Sequence, residues 1–252
     1  MNPEDLLLVR IESSSEATYF RDTIEFIYNT DFTVKEIRQI SPRFAGGYRT
    51  VATTTYENGR LMVIETDQFP TKRGMYKRTE MEWKDGKIAC IRYFDERLVN
   101  TRLDSLFYDG GDHLIDHKEF TVLNSIPLIK LKPRHRTLLT WQGENVAEET
   151  FFTNVENPEI KGNTLHLNYT NRPNIMYQCV KDNLMWHLLH TVVSEFLSKN
   201  APDKFRFPNP DGTLKTLNLH RYGFDAAKMV LGYGLYSDST LSYYSTYYFR
   251  RK

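Results

Sequence analysis

Two cysteines, Cys90 and Cys179, are all that 252 residues supply. That is too few for a four-thiolate metal site, and each lies in a strand-like run. They read as two small hydrophobes of the interior, with a disulfide between repeats as the alternative. An excess of one charge is missing too: 33 Lys and Arg against 32 Asp and Glu leave +1. No global field therefore draws the chain to nucleic acid or to an anionic membrane. Long hydrophobic runs are lacking as well. Leu6-Leu7-Leu8-Val9 is too short for a signal h-region or a membrane span, and no basic residue precedes it, so the sequence as given shows no signal peptide. The phosphate loop, the dinucleotide glycine fingerprint and the Gly-x-Ser-x-Gly elbow do not occur, which leaves no cofactor expected and no common enzyme template.

What the chain does have is aromatic residues, 13% of the total, and a cadence in which they fall. An alternating strand ends in an aromatic, a tight polar turn follows, and a second alternating strand leaves it. The pre-turn aromatics are Tyr28, Tyr56, Trp83, Tyr108, Trp141, Tyr169 and Phe224, separated by 28, 27, 25, 33, 28 and 55 residues. Such self-similarity makes a hairpin the repeating unit. Asn58-Gly59 and Asp85-Gly86 are the clearest turns, because both central residues of a type I′ turn need positive φ. Turns are also expected at Asn29-Thr30-Asp31, Asp109 to Asp112, Gln142 to Asn145, Thr170 to Asn174 and Asp225 to Ala227. Pro173 is placed in the sixth turn because it cannot donate to a ladder. Leu241 to Phe249 reads as the closing strand.

One stretch departs from the two-residue period. Met185, Leu189, Val192 and Phe196 recur at helical spacing, which predicts one amphipathic helix over 184–200, capped by Asp182 or Asn183. The proline-rich stretch from Asn200 to Gly212 is expected to be a loop. The expectation is thus an all-β sequential antiparallel hairpin meander of about 14–16 strands in one domain over 1–252, twisted and curled into a roll or half-barrel, with a helical and loop insert at 182–212.

Candidate site residues are few. His187 and His190, three apart on the predicted helix, lack a third ligand, so no metal is expected. His113 and His117 are expected to share a strand face as solvated residues, roughly 13 Å apart at about 3.3 Å per residue. Glu80 with Glu82, and Glu148 with Glu149, read as a polar sheet face and not as a hydrolase pair. Lys130, Lys132, Arg134, His135 and Arg136 are read as a charged edge or loop that discourages strand addition. Alternation turns Tyr244 and Tyr248 away from Tyr243 and Tyr247, which makes Tyr244 and Tyr248 the candidate ligand surface, with Trp186 on the helix as a third candidate.

The units Tyr56-Glu57-Asn58-Gly59-Arg60-Leu61 and Trp83-Lys84-Asp85-Gly86-Lys87-Ile88 resemble the tyrosine-aspartate hairpins of RHS-type repeat proteins. The chain as a whole resembles a group of exported Bacteroidetes-type proteins of unknown function, in which such hairpins precede a short helical insert ending in Ser-Lys-Asn, here Ser198-Lys199-Asn200. The resemblance implies a long antiparallel sheet, a place in the periplasm or at the cell surface, and a non-catalytic binding or scaffold role. The partner expected is a small molecule, a glycan or an envelope protein. The alternative is a carrier that encloses an apolar ligand between sheet and helix, which needs a cavity of several hundred Å3 behind residues 184–200.

Overall fold

The computed structural model describes residues 6–15, 20–41, 48–66, 76–125, 128–153, 160–174, 177, 197–208, 213–218, 223–225, 230–237 and 240–252. These residues form β1 (Leu6–Ser15), β2 (Phe20–Tyr28), β3 (Val34–Ser41), β4 (Tyr48–Glu57), β5 (Arg60–Thr66), β6 (Arg78–Lys84), β7 (Lys87–Phe94), β8 (Asn100–Tyr108) and β9 (Leu114–Ser125). They continue as β10 (Leu128–Gln142), β11 (Asn145–Thr153), β12 (Ile160–Pro173), β13 (Asn200–Pro208), β14 (Leu214–Asn218), β15 (Gly223–Asp225), β16 (Val230–Ser237) and β17 (Thr240–Arg251). All seventeen belong to one sheet. The chain divides into two compact units: Met1–Val51 with Gln142–Ala147 and His166–Lys252, and Ala52–Trp141 with Glu148–Leu165.

The second unit shows how one beat is built. Tyr56 is the last residue but one of β4, Asn58 and Gly59 take φ of 50° and 75°, and β5 returns antiparallel. Asp85 and Gly86 repeat this at 51° and 81° between β6 and β7. After each turn the returning strand carries one extra residue. Thr55 pairs with Val63 but Tyr56 with Leu61, so Met62 is bulged. Ala89 is bulged in the same place between the partners of Glu82 and Trp83, and Ile115 between those of Phe107 and Tyr108. A bulge shifts the inward side chain by one position. Burial therefore falls on the post-turn residue, the third after it and the fifth after it: Leu61, Ile64 and Thr66, then Ile88, Ile91 and Tyr93, then Leu114, His117 and Glu119. Strict alternation mispredicts this. It is why His117 is buried, contrary to the expected solvated position, while His113 precedes β9 and hydrogen-bonds Asp109 within the turn.

The pre-turn aromatics bind successive beats together. Trp83 Nε1 donates to the Leu61 carbonyl at 2.9 Å, Tyr108 Oη to Ile88 at 3.1 Å and Trp141 Nε1 to Leu114 at 2.9 Å. Each is large, so its tip spans to the preceding hairpin while its ring covers the gap.

In the first unit β1 lies between β2 and β17, which makes the first and last strands neighbours. Tyr28 Oη reaches the Leu8 carbonyl at 2.5 Å, and β3 has its bulge at Lys35. Leu6, Leu8, Ile11, Phe26, Val34, Leu231, Tyr247 and Phe249 are buried. Ser198-Lys199-Asn200 forms a clasp on the turn that ends β10. Ser198 Oγ accepts from the Val146 N–H at 3.0 Å and donates to Tyr169 Oη at 2.7 Å. The Lys199 N–H donates to Glu144 O and the Asn200 N–H to Asn145 Oδ1. Asn174 closes the clasp on the Ser198 and Lys199 carbonyls.

Several expectations are corrected. The sixth beat does not form a local hairpin: β12 pairs with β13, which begins at Asn200, and Pro173 is the last residue of β12, paired with Asn200. The proline-rich stretch is strand over Asn200–Pro208, because its prolines sit at an end or an irregular register where no ladder donor is needed. The basic run is no edge: it lies within β10, which pairs with β9 from Leu128 to Leu138, with Pro133 at the register shift. Residues 184–196 of the predicted helix, with Trp186, His187, His190 and the space behind them on which the carrier alternative depends, lie outside the described residues, as does Cys179. Cys90 is half-buried with a free thiol, which burial pushes up.

Candidate functional site

The beat geometry points two different surfaces of the second unit. Inward, the positions filled by Ile and Tyr in earlier beats are taken in β8 and β9 by ionic groups. Asp104 lies opposite Ile91 on one side and Glu119 on the other. It is 1% exposed, and His117 and Glu119 are 8% exposed. The Asp104 carboxylate accepts from Arg102 Nε and Nη2, both at 2.8 Å, from His117 Nε2 at 3.0 Å and from Tyr93 Oη at 3.1 Å. Arg102 also meets Glu119 at 2.7 Å, and Arg134 reaches Glu119 from β10 at 3.3 Å. Burial on its own would raise the Asp104 carboxyl; the hydrogen bonds from His117 and Arg102 outweigh it and hold the group at about 2. Burial, then the Asp104 charge, pushes the Tyr93 phenol well up. This cluster is satisfied by its own members, so it specifies packing. Among the described residues no set of three His, Cys, Asp or Glu could hold a metal ion.

Outward, the same strands carry ion pairs. Arg78 bridges Glu65 at 2.6 Å and Glu80 at 2.7 Å, Arg92 meets Glu82 at 2.5 Å, and Arg136 holds Asp116 through two bonds of 2.9 and 3.0 Å. Beside the Arg78 and Arg92 pairs lies a groove of about 530 Å3, lined by Trp83, by Arg60, Arg78 and Arg92 and by Glu57, Glu80 and Glu82, with Met62, Val63 and Met81 as its apolar part. The bulged residue Met62 borders it, together with the Trp83 ring. Arg60 lies over that ring, 5.6 Å from its centre. Glu80 and Glu82 do share a face, as the alternation indicated, but each faces an arginine and not its fellow carboxylate.

Tyr244 and Tyr248 stand on the face opposite the buried Ser245, Tyr247 and Phe249. Tyr248 is engaged: its Oη donates to Glu12 Oε2 at 2.8 Å and Arg10 stacks on its ring at 4.0 Å. The bond to Glu12, then burial, raises the phenol. Tyr244 is 36% exposed and lies over Gly232, where an added Cβ would meet its Oη at 2.9 Å. Sequence reasoning missed the groove, whose only advance signal was that Trp83 and Arg60 flank two adjacent type I′ turns.

This architecture is an all-β antiparallel meander, and it has counterparts among solved structures. A porin-like protein from Bacteroides uniformis ATCC 8492 is similar over 100% of this chain and 98% of its own, with a TM-score of 0.61 at 12% identity. A porin-like protein from Bacteroides vulgatus ATCC 8482 is similar over 98% of this chain and 99% of its own, with a TM-score of 0.55 at 10% identity. At that identity the likeness is one of fold. No protein-family model matches the chain, and no curated protein is similar to it.

Proposed function

We propose that this chain is a non-catalytic binding protein of the bacterial cell envelope that works in water and takes a polar ligand in the groove beside Trp83. The observation that carries the reading is the position of that groove on a strand face built from ion pairs. Arg92 and Arg136 project from within β7 and β10, where an arginine at the bilayer midplane would cost about 2–4 kcal/mol apiece. A face of that kind is suited to water, unlike the outer wall of a lipid-embedded pore. The walls of the groove offer both donors and acceptors around the half-buried ring of Trp83, the composition of a small-ligand site that recognises polar molecules. Placement in the envelope is supported by the fold shared with the two Bacteroides proteins.

The test is a set of three measurements on the purified chain. It is expected to stay monodisperse without detergent and to give no conductance in planar bilayers, while binding an envelope saccharide fraction saturably. Stepwise conductance, or a requirement for detergent, overturns the reading.

A further inference from the structure

We infer that the end of the second unit opposite its type I′ turns docks on an anionic lipid surface, with Leu98 as an apolar anchor; this goes beyond the groove beside Trp83 and does not depend on it. Six large apolar residues of that unit are exposed among the described residues. Five of them, Leu98, Val99, Leu123, Leu131 and Phe151, lie in the turn between β7 and β8 or within four residues of the strand ends of β9, β10 and β11 on the same side; Phe107 is the exception. The opposite end is spelled in Asn58-Gly59, Asp85-Gly86 and Asp109 to Asp112. Apolar side chains gathered at one end in this way mark a surface that meets something other than water.

Leu98 shows that the exposure is not incidental. The turn from Asp95 to Val99 has the same build as the turn from Asp109 to His113. In each, the first N–H donates to the fifth carbonyl, the fourth N–H to the first carbonyl, and Oδ1 of the leading aspartate accepts from the third and fifth N–H. The fourth residue is left-handed in both, with φ of 58° at Leu98 and 72° at Asp112. Aspartate is among the side chains that tolerate this region and leucine is not, so the turn itself has no use for leucine there. Leu98 is nevertheless 58% exposed, and burial within the chain does little to offset its cost. Strain and exposure that fall on one side chain point to a contact outside the chain. Phe32 holds the same place in the turn between β2 and β3, but in its unit the other exposed large apolar residues, Ile40 and Tyr244, lie at the far end of β3 and on β17.

The hairpin of β9 and β10 selects the partner. Leu123 stands opposite Lys130 and Val122 opposite Leu131, so an exposed leucine projects from each face of this strand pair. Side chains that point two ways, with a third apolar tip at Leu98, outline no single patch that a protein partner of fixed shape would cover. A lipid headgroup layer has no fixed shape and receives all of them. Lys130 and Lys132 are exposed beside the leucines, where lysine stems lie along apolar surface and keep their ammonium groups at headgroup level. Among the described residues at this level, Lys77, Arg97, Lys130 and Lys132 stand against Asp95 and Glu96. Arg78, Arg102 and Arg134 are matched by Glu65, Asp104 and Glu119. The local excess is therefore cationic although the whole chain is nearly neutral, and anionic headgroups complement it.

The experiment is flotation of the full chain at pH 7 and low salt with vesicles of phosphatidylglycerol and phosphatidylethanolamine, and with vesicles of phosphatidylcholine alone. Leu98→Gly removes the anchor and relieves the left-handed leucine, so it is expected to fold more stably than the wild type and its weaker binding cannot come from unfolding. Lys130→Gln removes one charge, and Phe107→Gln, exposed near the opposite end of the strands, is the control; thermal melts establish that all three variants fold. The wild type is expected to float with the anionic vesicles, to stay in solution with phosphatidylcholine and to be released by added salt. Affinity for the anionic vesicles is expected to fall about fivefold in Leu98→Gly and about fivefold in Lys130→Gln, and to be unchanged in Phe107→Gln. Absence of flotation, equal flotation with the two kinds of vesicle, binding unaffected by Leu98→Gly or by Lys130→Gln, or an equal loss in Phe107→Gln overturns the inference and leaves the groove reading untouched.

Discussion

Replacing Asp104 by Asn tests the buried cluster through its dependence on pH. The carboxyl is held at about 2 against an ordinary value of 3.8. At 1.36 kcal/mol per pKa unit, its ionised form is worth roughly 2–3 kcal/mol to the folded state. Because the folded value is the lower one, that stability is present in full above about pH 4 and is lost as the pH falls through about 2. Asparagine keeps the shape and removes the charge. Arg102 does not become an orphan, since Glu119 still meets it at 2.7 Å, and the loss should stay below the 3–5 kcal/mol typical of a broken buried pair. Urea unfolding of wild type and Asp104→Asn at a series of pH values from 7 to 2 gives the difference directly, and titrations elsewhere cancel in it. The expected gap is about 2–3 kcal/mol at pH 7, closing to under about 1 kcal/mol at pH 2. A gap that stays constant across that range would refute the assignment of Asp104 as an ionised hub.

Two glycines separate backbone from side-chain crowding. A Cβ at Gly162 would lie 2.9 Å from the Phe151 carbonyl oxygen, so Gly162→Ala is expected to cost about 1–3 kcal/mol in chemical denaturation. At Gly232 the obstacle is the mobile end of Tyr244, so Gly232→Ala should cost less than about 1 kcal/mol while raising Tyr244 accessibility to nitration. Leu98, 58% exposed with φ of 58°, pays for a left-handed backbone and gains little burial. Leu98→Gly should therefore raise stability by about 0.5–1 kcal/mol, read as an increase in melting temperature.

Much of the fold was legible because hairpin chemistry is local. Asn58-Gly59 and Asp85-Gly86 state their turns in two letters, since few other residues tolerate the dihedrals found there. The pre-turn aromatics were legible as markers, but not their hydrogen bonds to the preceding hairpin, because a tip-to-carbonyl contact leaves no mark on the alternation. The bulges at Met62, Ala89 and Ile115 were invisible for a related reason: an extra residue changes which face is inward without changing composition. That single shift misplaced His117, and with it the whole buried cluster. Pairing of β12 with β13 was hidden because residues 174 to 199 intervene, and a turn rule sees only adjacent strands. The candidate groove was legible only in part. Alternation set Glu80 and Glu82 on one face, but neither the bulge at Met62 nor the seat of Arg60 over the Trp83 ring leaves a mark on that pattern.

The central claim is that this sheet binds a ligand on its ionic outer face beside Trp83. Its most direct test is a 1H–15N shift map of the full chain titrated with the envelope saccharide fraction. The account predicts saturable shifts clustered at the Trp83 indole N–H and the amides of Asn58, Arg60, Val63 and Glu82. Shifts confined to Tyr244, Tyr248 and their neighbours, or none that saturate, would contradict it.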